Sequence, residues 1–158
     1  MSKQIRKKCM EIIRIKVNSS ACSGCLSCVT TCSMAHEQYV SLSAGRVQVT
    51  LRPFEIRHRI DICRQCAKHL CLEACPEGAI YRDQQDIVRI DDSRCTRCRL
   101  CMDACPFHAI FWNPVSEQVI KCDLCLGQPA CVEVCPTGAL TLNVLKRDAR
   151  DERQEQVE

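Results

Sequence analysis

Short apolar stretches separated by polar turns recur along the second half of the chain. Residues 79–81 are mainly apolar, residues 83–86 are polar, and apolar positions resume at 87–90. Two apolar stretches joined by a short polar turn predict a β-hairpin. The same pattern returns at 109–120, and its first half returns at 139–142. The sequence therefore contains an internal repeat of small β units.

Two segments in the first half of the chain also predict strands. Residues 13–17 alternate between hydrophobic and polar side chains, which is typical of a half-buried strand. In the segment 38–62, Val47, Val49 and Leu51 alternate with polar residues, and we interpret it as a further hairpin and a candidate docking surface. No run reaches the roughly 18–20 apolar residues that a membrane-spanning helix needs, so no membrane span is expected.

Cysteine dominates the composition, with 17 Cys among 158 residues. Sixteen of them form four groups of four, and Cys9 stands alone. The first and third groups have the spacing C-x2-C-x2-C-x3-C, while the middle gap widens to four residues in the second group and to five in the fourth. In chain order, the groups are Cys22, Cys25, Cys28 and Cys32; Cys63, Cys66, Cys71 and Cys75; Cys95, Cys98, Cys101 and Cys105; and Cys122, Cys125, Cys131 and Cys135.

This spacing matches the ligand run of bacterial ferredoxins. Three Cys on one tight loop can cap three irons of a 4Fe-4S cubane, and the fourth iron must be reached from elsewhere. In two-cluster ferredoxins, the last Cys of the run stands before Pro and ligates the other cluster. Pro76, Pro106 and Pro136 follow the last Cys of three groups here. The pattern predicts four 4Fe-4S clusters in an α+β fold that repeats a strand, a Cys loop, a short helix and a strand.

Zinc and disulfides are the competing explanations for so many Cys. Structural zinc is also held by four thiolates, but usually by two separated C-x2-C pairs. The odd Cys total weakens a disulfide framework, and the basic N-terminus lacks the apolar core and cleavage site of a signal peptide. We therefore expect a cytoplasmic chain whose free thiols bind iron–sulfur clusters. A structural zinc protein, which would be colourless and lack sulfide, is the alternative.

The formal net charge of +3, from 22 Lys and Arg against 19 Asp and Glu, changes sign once clusters are counted. An oxidised 4Fe-4S core with four thiolates carries about −2, so four of them bring the chain to roughly −5. Cations beside the ligands then neutralise the clusters and tune their potentials, and no nucleic-acid surface is expected. The candidates for tuning are Arg64, Lys68, Arg97, Arg99 and Lys121.

The histidines are weaker candidates for a role at the clusters. His36, four residues after Cys32, and His69, inside the second Cys group, could form a hydrogen bond with a cluster sulfur or replace a ligand. We do not expect a direct ligand role, because the Cys already fill every ligand place. His58 and His108 are interpreted as surface residues.

Three Cys-rich stretches resemble a known family in more than spacing. They resemble the four-cluster electron-transfer subunits of the dimethyl sulfoxide reductase iron–sulfur family. The stretches are residues 63–80 (CRQCAKHLCLEACPEGAI), 94–110 (RCTRCRLCMDACPFHAI) and 121–140 (KCDLCLGQPACVEVCPTGAL). That family includes the small subunits of formate dehydrogenases, hydrogenases and carbon monoxide dehydrogenase. The resemblance extends over residues 12–145.

A narrower resemblance rests on the first Cys group. Two stretches there look like the small iron–sulfur proteins that accompany tungsten aldehyde oxidoreductases and benzoyl-CoA reductases. They are residues 22–37 (CSGCLSCVTTCSMAHE) and 41–49 (SLSAGRVQV). Two positions depart from the wider family. No Pro follows Cys32, and Arg97 stands where the family often has Gly.

The family resemblance implies which Cys share a cluster and how the chain is divided. The implied ligand sets are Cys22, Cys25, Cys28 and Cys135 for cluster 1; Cys63, Cys66, Cys71 and Cys105 for cluster 2; Cys95, Cys98, Cys101 and Cys75 for cluster 3; and Cys122, Cys125, Cys131 and Cys32 for cluster 4. Two bacterial-ferredoxin-like units are then nested, an outer one (1–62 plus 115–145) and an inner one (63–114). A charged tail follows at 146–158.

The resemblance also implies a function. Such a chain is a non-catalytic subunit that relays single electrons between a catalytic oxidoreductase subunit and a redox partner, for example a flavin or ferredoxin-type protein. A tungsten or molybdenum pterin enzyme is the expected catalytic partner, with a tungsten aldehyde oxidoreductase as the best match. The alternatives are a free polyferredoxin, or the corresponding subunit of a formate dehydrogenase, hydrogenase or carbon monoxide dehydrogenase complex.

Overall fold

A computed structural model describes residues 10–147 of the chain. Within that range, four α-helices accompany eight strands that form four antiparallel two-stranded sheets. The helices are α1 (Ser27–Glu37), α2 (Leu70–Glu73), α3 (Leu100–Ala104) and α4 (Ala130–Glu133). The strands are β1 (Met10–Val17), β2 (Val47–Thr50), β3 (Arg59–Ile62), β4 (Ile80–Arg82), β5 (Val88–Ile90), β6 (Ile110–Asn113), β7 (Gln118–Lys121) and β8 (Leu140–Arg147). The predicted mixture of helix and strand is confirmed.

Three hairpins form where the sequence predicts them, namely β2–β3, β4–β5 and β6–β7. In the β4–β5 hairpin, Ile80 lies opposite Ile90. Its polar turn is held by Asp83, whose carboxylate accepts hydrogen bonds from the backbone N–H groups of Gln85 and Ile87, both at 2.9 Å. A short acidic side chain that bonds its own backbone stabilises such a turn.

The first and last strands pair with each other rather than with a neighbour in sequence. β1 and β8 are antiparallel from Met10 opposite Arg147 to Val17 opposite Leu140, so both are longer than the stretches that the pattern predicts. The first Cys group follows β1, and the fourth precedes β8. The pairing therefore places these two groups at the same end of the two-stranded ribbon.

Two features discussed from the sequence extend beyond the described residues. Cys9 lies in residues 1–9, which fall outside the described range. Of the predicted charged tail, Lys146 and Arg147 belong to β8, and residues 148–158 fall outside the described range.

Most of the buried hydrophobic residues form two clusters, and both contain Cys. The larger cluster includes Cys32, Cys122 and Cys131, together with Ile15, Val47, Ile60, Ile62, Ile87, Leu124, Ala139 and Leu140. The smaller cluster includes Cys101, together with Ile80, Val88, Ile110 and Val119. Burying one such aliphatic side chain contributes about 1.5–3 kcal/mol. The hydrophobic core is thus built around the Cys groups rather than beside them.

The helices are short. α2 and α4 have four residues each and α3 has five, whereas isolated helices below about 12 residues are marginal in water. Packing therefore has to hold them, and α1 packs against α4 while α2 packs against α3. Within residues 10–147, no helix has the length and apolar character needed to cross a bilayer.

A buried carboxylate ties the β1–β8 ribbon to the β4–β5 hairpin. Asp86 is almost fully buried and accepts a hydrogen bond at 2.7 Å from the guanidinium of Arg14 in β1. It also pairs with Arg82 in β4, and Arg82 in turn contacts the ring of His69 in the second Cys group. One anion therefore compensates two cations that come from distant parts of the chain.

Replacing Asp86 by Ala is expected to lower the stability of the loaded protein. Breaking a buried ion pair costs about 3–5 kcal/mol of the free energy of unfolding. Because Arg82 is partly exposed, we expect a loss near the lower value. At a fixed scan rate, that loss corresponds to a fall of roughly 5–10 °C in the apparent melting temperature, read by circular dichroism. Asp92→Ala, at an exposed carboxylate, is the control and should change stability by no more than about 0.5 kcal/mol. Equal melting temperatures for the two variants would contradict the role of Asp86.

Candidate metal centres

Each Cys group occupies a turn and the short helix that follows it. In the third group, Cys95 and Cys98 lie in the turn, Cys101 lies in α3, and Cys105 ends that helix. The second and fourth groups follow the same plan around α2 and α4, whereas Cys32 of the first group lies inside the longer helix α1. All sixteen grouped Cys lie in the described part of the chain, and each has a free thiol.

Left-handed backbone conformations bend the turns between the Cys. Leu26, His69 and Arg99, which directly precede α1, α2 and α3, have φ values of 62°, 26° and 66°. In the fourth group, three consecutive residues are left-handed, Leu124, Cys125 and Leu126. A left-handed residue other than Gly costs roughly 1–2 kcal/mol. The loops therefore carry a conformational cost that some further interaction must offset.

Electrostatic interactions join Cys of different groups, and we call each of the four ligand sets implied by the family resemblance a quartet. Electrostatic interactions link Cys28 with Cys22, Cys25 and Cys135, and Cys71 with Cys63, Cys66 and Cys105. They also link Cys101 with Cys95, Cys98 and Cys75. In the last set, Cys131 interacts with Cys125, Cys32 and Cys122. We number these quartets 1, 2, 3 and 4 in that order.

Cavities accompany two of the quartets. One cavity is lined by all four thiols of quartet 1, and its other walls are mainly apolar residues such as Val49, Ile60 and Leu140. A second cavity is lined by Cys75, Cys95, Cys98 and Cys101, which form quartet 3, together with Ile80, Ile90 and Val119. Thiols that converge on an apolar cavity are suited to hold an inorganic group there.

Burial disfavours charge on the more buried of these thiols. It raises the pKa of Cys28, Cys32 and Cys101 to about 11 and that of Cys131 to about 12, and repulsion by neighbouring Cys acts in the same direction. Burial also raises the pKa of Cys122 well above its usual range. Four thiolates can share such a space only when a cationic metal core balances their charge.

Backbone N–H groups point at three of the sulfurs. Arg46 donates to Cys32 Sγ at 3.3 Å, Gln65 to Cys63 Sγ at 3.4 Å, and Ala79 to Cys75 Sγ at 3.3 Å. Hydrogen bonds to sulfur stabilise the thiolate and tune a bound cluster. These donors therefore fit a set of metal-bound thiolates.

The spacing of the thiols distinguishes a multinuclear cluster from a single ion. Four thiolates at about 2.3 Å from one zinc lie roughly 3.8 Å apart. The described residues contain one set of His, Cys, Asp or Glu ligand atoms, three or more in number, that all lie within 4.8 Å of one another. That set is His36, Asp123 and Cys125, and it is not a Cys quartet. No quartet therefore brings three of its thiols as close together as the ligands of one zinc, which favours a larger 4Fe-4S core.

The five cations predicted to tune the clusters occupy different environments. Lys121 is almost fully buried, and its ammonium lies near quartets 2 and 4. The other four side chains are exposed: Lys68 and Arg97 face solvent, Arg64 lies over the ring of Phe107 at 5.7 Å, and Arg99 lies over Trp112 at 3.8 Å. Of the five, Lys121 is therefore the cation that the fold brings into the interior.

The two histidines of interest lie in different surroundings. His36 Nε2 is 3.4 Å from Cys125 Sγ and 3.5 Å from a carboxylate oxygen of Asp123. Burial lowers the pKa of His36, and the nearby Arg46 acts in the same direction. The ring of His69 instead contacts the guanidinium of Arg82. Only the first histidine therefore has the expected contact with a Cys sulfur in this structure.

Two residues near the quartets are not identified by the sequence pattern. His58, interpreted above as a surface residue, is half-buried, and its ring packs with Leu51 against Gly24 in the first Cys group. Gly24 has a φ of 74°, and a Cβ there would lie 2.8 Å from both neighbours. Gln65 is buried and bonds to distant backbone groups. Neither role produces a local sequence signal, because both depend on contacts between separate segments.

Comparison with known proteins agrees with this geometry. The chain is similar to the polyferredoxin-like subunit of aliphatic sulfonate oxidoreductase from Pyrococcus furiosus, with 34% identity over 60% of this chain and 53% of that one. It is similar to the thiosulfate reductase electron transfer subunit PhsB from Salmonella typhi, with 40% identity over 47% of this chain and 42% of that one. The chain thus spans about half or less of these relatives.

A solved structure has the same fold. A chain of the active-site complex BamBC of benzoyl coenzyme A reductase superposes with a TM-score of 0.53 and 22% identity, over 92% of this chain and 85% of that one. Family models match in two places, a 4Fe-4S binding domain at residues 19–35 and a 4Fe-4S dicluster domain at residues 54–145. Because the second match covers more than half of the sequence, the chain belongs to the 4Fe-4S dicluster domain family.

Proposed function

We propose that the chain is a non-catalytic electron-transfer subunit of an oxidoreductase complex and that it holds four 4Fe-4S clusters. The observation that carries this proposal is that sixteen free thiols lie in four closely spaced groups and that thiols of different groups interact with one another. When bound, a 4Fe-4S cluster supplies reversible one-electron chemistry. The protein's own residues then hold the clusters, exclude water and set their potentials.

The proposed ligand sets are those implied by the family resemblance. Quartet 1 would hold cluster 1, and quartets 2, 3 and 4 would hold clusters 2, 3 and 4. The interactions between Cys of different groups support this pairing, as does the packing of α1 against α4 and of α2 against α3. The pairing of β1 with β8 supports an outer unit (1–62 plus 115–145) that closes around an inner unit (63–114).

The contacts between quartets support a linear order for the clusters. Cys28 of quartet 1 interacts with Cys131 of quartet 4, and Cys122 of quartet 4 interacts with Cys63 of quartet 2. Quartets 2 and 3 adjoin through the packing of α2 against α3. We therefore propose the order 1, 4, 2, 3, in which an electron enters at one end and leaves at the other.

The catalytic partner is proposed from the relatives and from the first Cys group. The similar chains named above are subunits of oxidoreductases. A tungsten or molybdenum pterin enzyme would exchange electron pairs with its substrate and pass them on singly, and a tungsten aldehyde oxidoreductase is the best match. A flavin or ferredoxin-type protein would accept electrons at the other end, in a cytoplasmic complex.

The tip of the β2–β3 hairpin is the proposed docking surface for the catalytic subunit. Phe54 and Ile56 are 101% and 96% exposed, so both apolar side chains project into solvent. The same hairpin packs against Gly24, next to Cys25, which is itself exposed. A subunit that covers this tip would lie beside cluster 1, at one end of the proposed path.

Metal analysis tests the clusters and their pairing. The anaerobically purified chain is expected to contain about sixteen iron and sixteen sulfide, because four cubanes require that number. Cys105→Ala and Cys71→Ala should change the same electron paramagnetic resonance signal, since both residues belong to quartet 2. The single variants Cys75→Ala and Cys98→Ala should each change a second signal, since both residues belong to quartet 3. Zinc without sulfide would contradict the presence of clusters. If Cys105→Ala and Cys98→Ala changed the same electron paramagnetic resonance signal, the proposed pairing would be wrong.

Co-purification from the native host tests the partner and the docking surface. The wild-type chain is expected to retain a tungsten or molybdenum enzyme, and the double variant Phe54→Asp/Ile56→Asp should retain at least tenfold less, because two charges replace the apolar contact. Val115→Asp is the matched control, since Val115 is an exposed apolar residue on the β6–β7 turn.

Equal tungsten or molybdenum in the double variant and in the wild type would contradict docking at the hairpin. A wild-type chain that carries all its iron but elutes alone as a monomer would favour a free polyferredoxin. Nickel in the retained partner would instead indicate a hydrogenase or carbon monoxide dehydrogenase complex.

A further inference from the structure

A buried polar junction connects the second Cys group, strand β5 and the fourth Cys group. It consists of Gln65, Val88, Lys121 and Cys122. Gln65 donates from Nε2 to the Cys122 carbonyl at 2.9 Å and accepts from the Val88 N–H at 2.8 Å. Lys121 donates from Nζ to the same Cys122 carbonyl at 3.0 Å and to the Val88 carbonyl. The exposed fractions of Gln65 and Lys121 are 2% and 3%.

Among the described side chains, no anion balances the charge of Lys121. Its hydrogen-bond acceptors are backbone carbonyls, and no carboxylate in residues 12–145, whose side chains are described, forms an ion pair with it. An ammonium buried without an anion is strongly unfavourable. The stability of this arrangement therefore points to negative charge nearby that the side chains alone do not supply.

The nearby negative charge would come from two quartets. The ammonium of Lys121 and the side-chain amide of Gln65 donate to the same Cys122 carbonyl, so Lys121 lies between the fourth Cys group, which contains Cys122, and the second, which contains Gln65. Cys63 and Cys122 also interact with each other, so quartets 2 and 4 adjoin at the junction. An oxidised cluster with its four thiolates carries about −2, which makes a cation between two clusters electrostatically favourable.

We infer that Lys121 is the positioning and tuning residue for the central electron-transfer step, between clusters 2 and 4, and that Gln65 fixes the separation of their loops. This inference rests on the proposed ligand sets. Each reduction adds one negative charge to a cluster, so a nearby fixed cation favours the reduced form. The potentials of clusters 2 and 4 are therefore raised together, while those of clusters 1 and 3 are affected much less.

The test is an anaerobic redox titration of the purified full chain, with dithionite as reductant and electron paramagnetic resonance as readout. The Cys variants described above assign the signals. Lys121→Gln removes the charge but keeps an amide donor, and Lys121→Arg keeps the charge. Lys68→Gln is the matched control, because it removes an exposed cation within the second Cys group, where water and salt screen its effect.

In Lys121→Gln, the ratio of reduced to oxidised cluster at a fixed potential should fall at least tenfold for clusters 2 and 4, which corresponds to 59 mV for one electron. Lys121→Arg should retain the wild-type potentials, and Lys68→Gln should shift them much less. Gln65→Glu, which adds a negative charge beside Lys121, should lower the same two potentials. If Lys121→Gln does not retain its iron, the potentials of clusters 2 and 4 in Gln65→Glu test the inference independently.

The outcomes separate this inference from the proposed function. Sixteen iron per chain with unchanged potentials in Lys121→Gln would overturn the role of Lys121 and leave the electron-transfer proposal intact. An equal shift of all four clusters would also overturn it, because it would indicate a general structural change. A wild-type chain without iron and sulfide would overturn both proposals.

Discussion

The repulsion among buried thiolates is the constraint on which the rest of this structure depends. Sixteen thiols lie in four closely spaced groups, and for the more buried ones, such as Cys28, Cys101 and Cys131, burial together with repulsion by neighbouring Cys makes the charged form unfavourable. A cationic metal core removes that repulsion and crosslinks segments that are far apart in sequence. In the proposed arrangement, such crosslinks would hold helices of four or five residues and left-handed turns, neither of which is stable by itself.

Ion pairs hold the remaining segments around these centres. Asp86 connects β1 with the β4–β5 hairpin through Arg14. Asp123, in the fourth Cys group, pairs with Arg46 at 3.0 Å and lies 3.8 Å from Arg89 in β5. Both carboxylates join the proposed outer unit to the proposed inner one. Because electron transfer between clusters depends on their separation, a rigid arrangement of this kind suits a relay.

The distribution of cations bears on how such a relay would be tuned. Most of the basic residues beside the Cys are exposed, where water and salt weaken their fields. Lys121 differs because the protein shields it from solvent, and the low local dielectric strengthens its effect on both neighbouring quartets. Burial therefore matters more than proximity in the sequence for deciding which cation influences a cluster.

The sequence by itself determined the local features of this protein. Cys spacing identified the four groups and favoured iron–sulfur chemistry. Apolar stretches joined by polar turns located two hairpins, and alternation of apolar and polar residues located the third. Both are short-range properties, because a Cys loop or a hairpin spans few residues. The tertiary structure alone decided that Gln65 meets the Cys122 carbonyl, 57 positions away, that His58 packs on Gly24, and that Lys121 is buried while Lys68 is not. These contacts form when separate segments pack around common centres, and no local pattern encodes that packing.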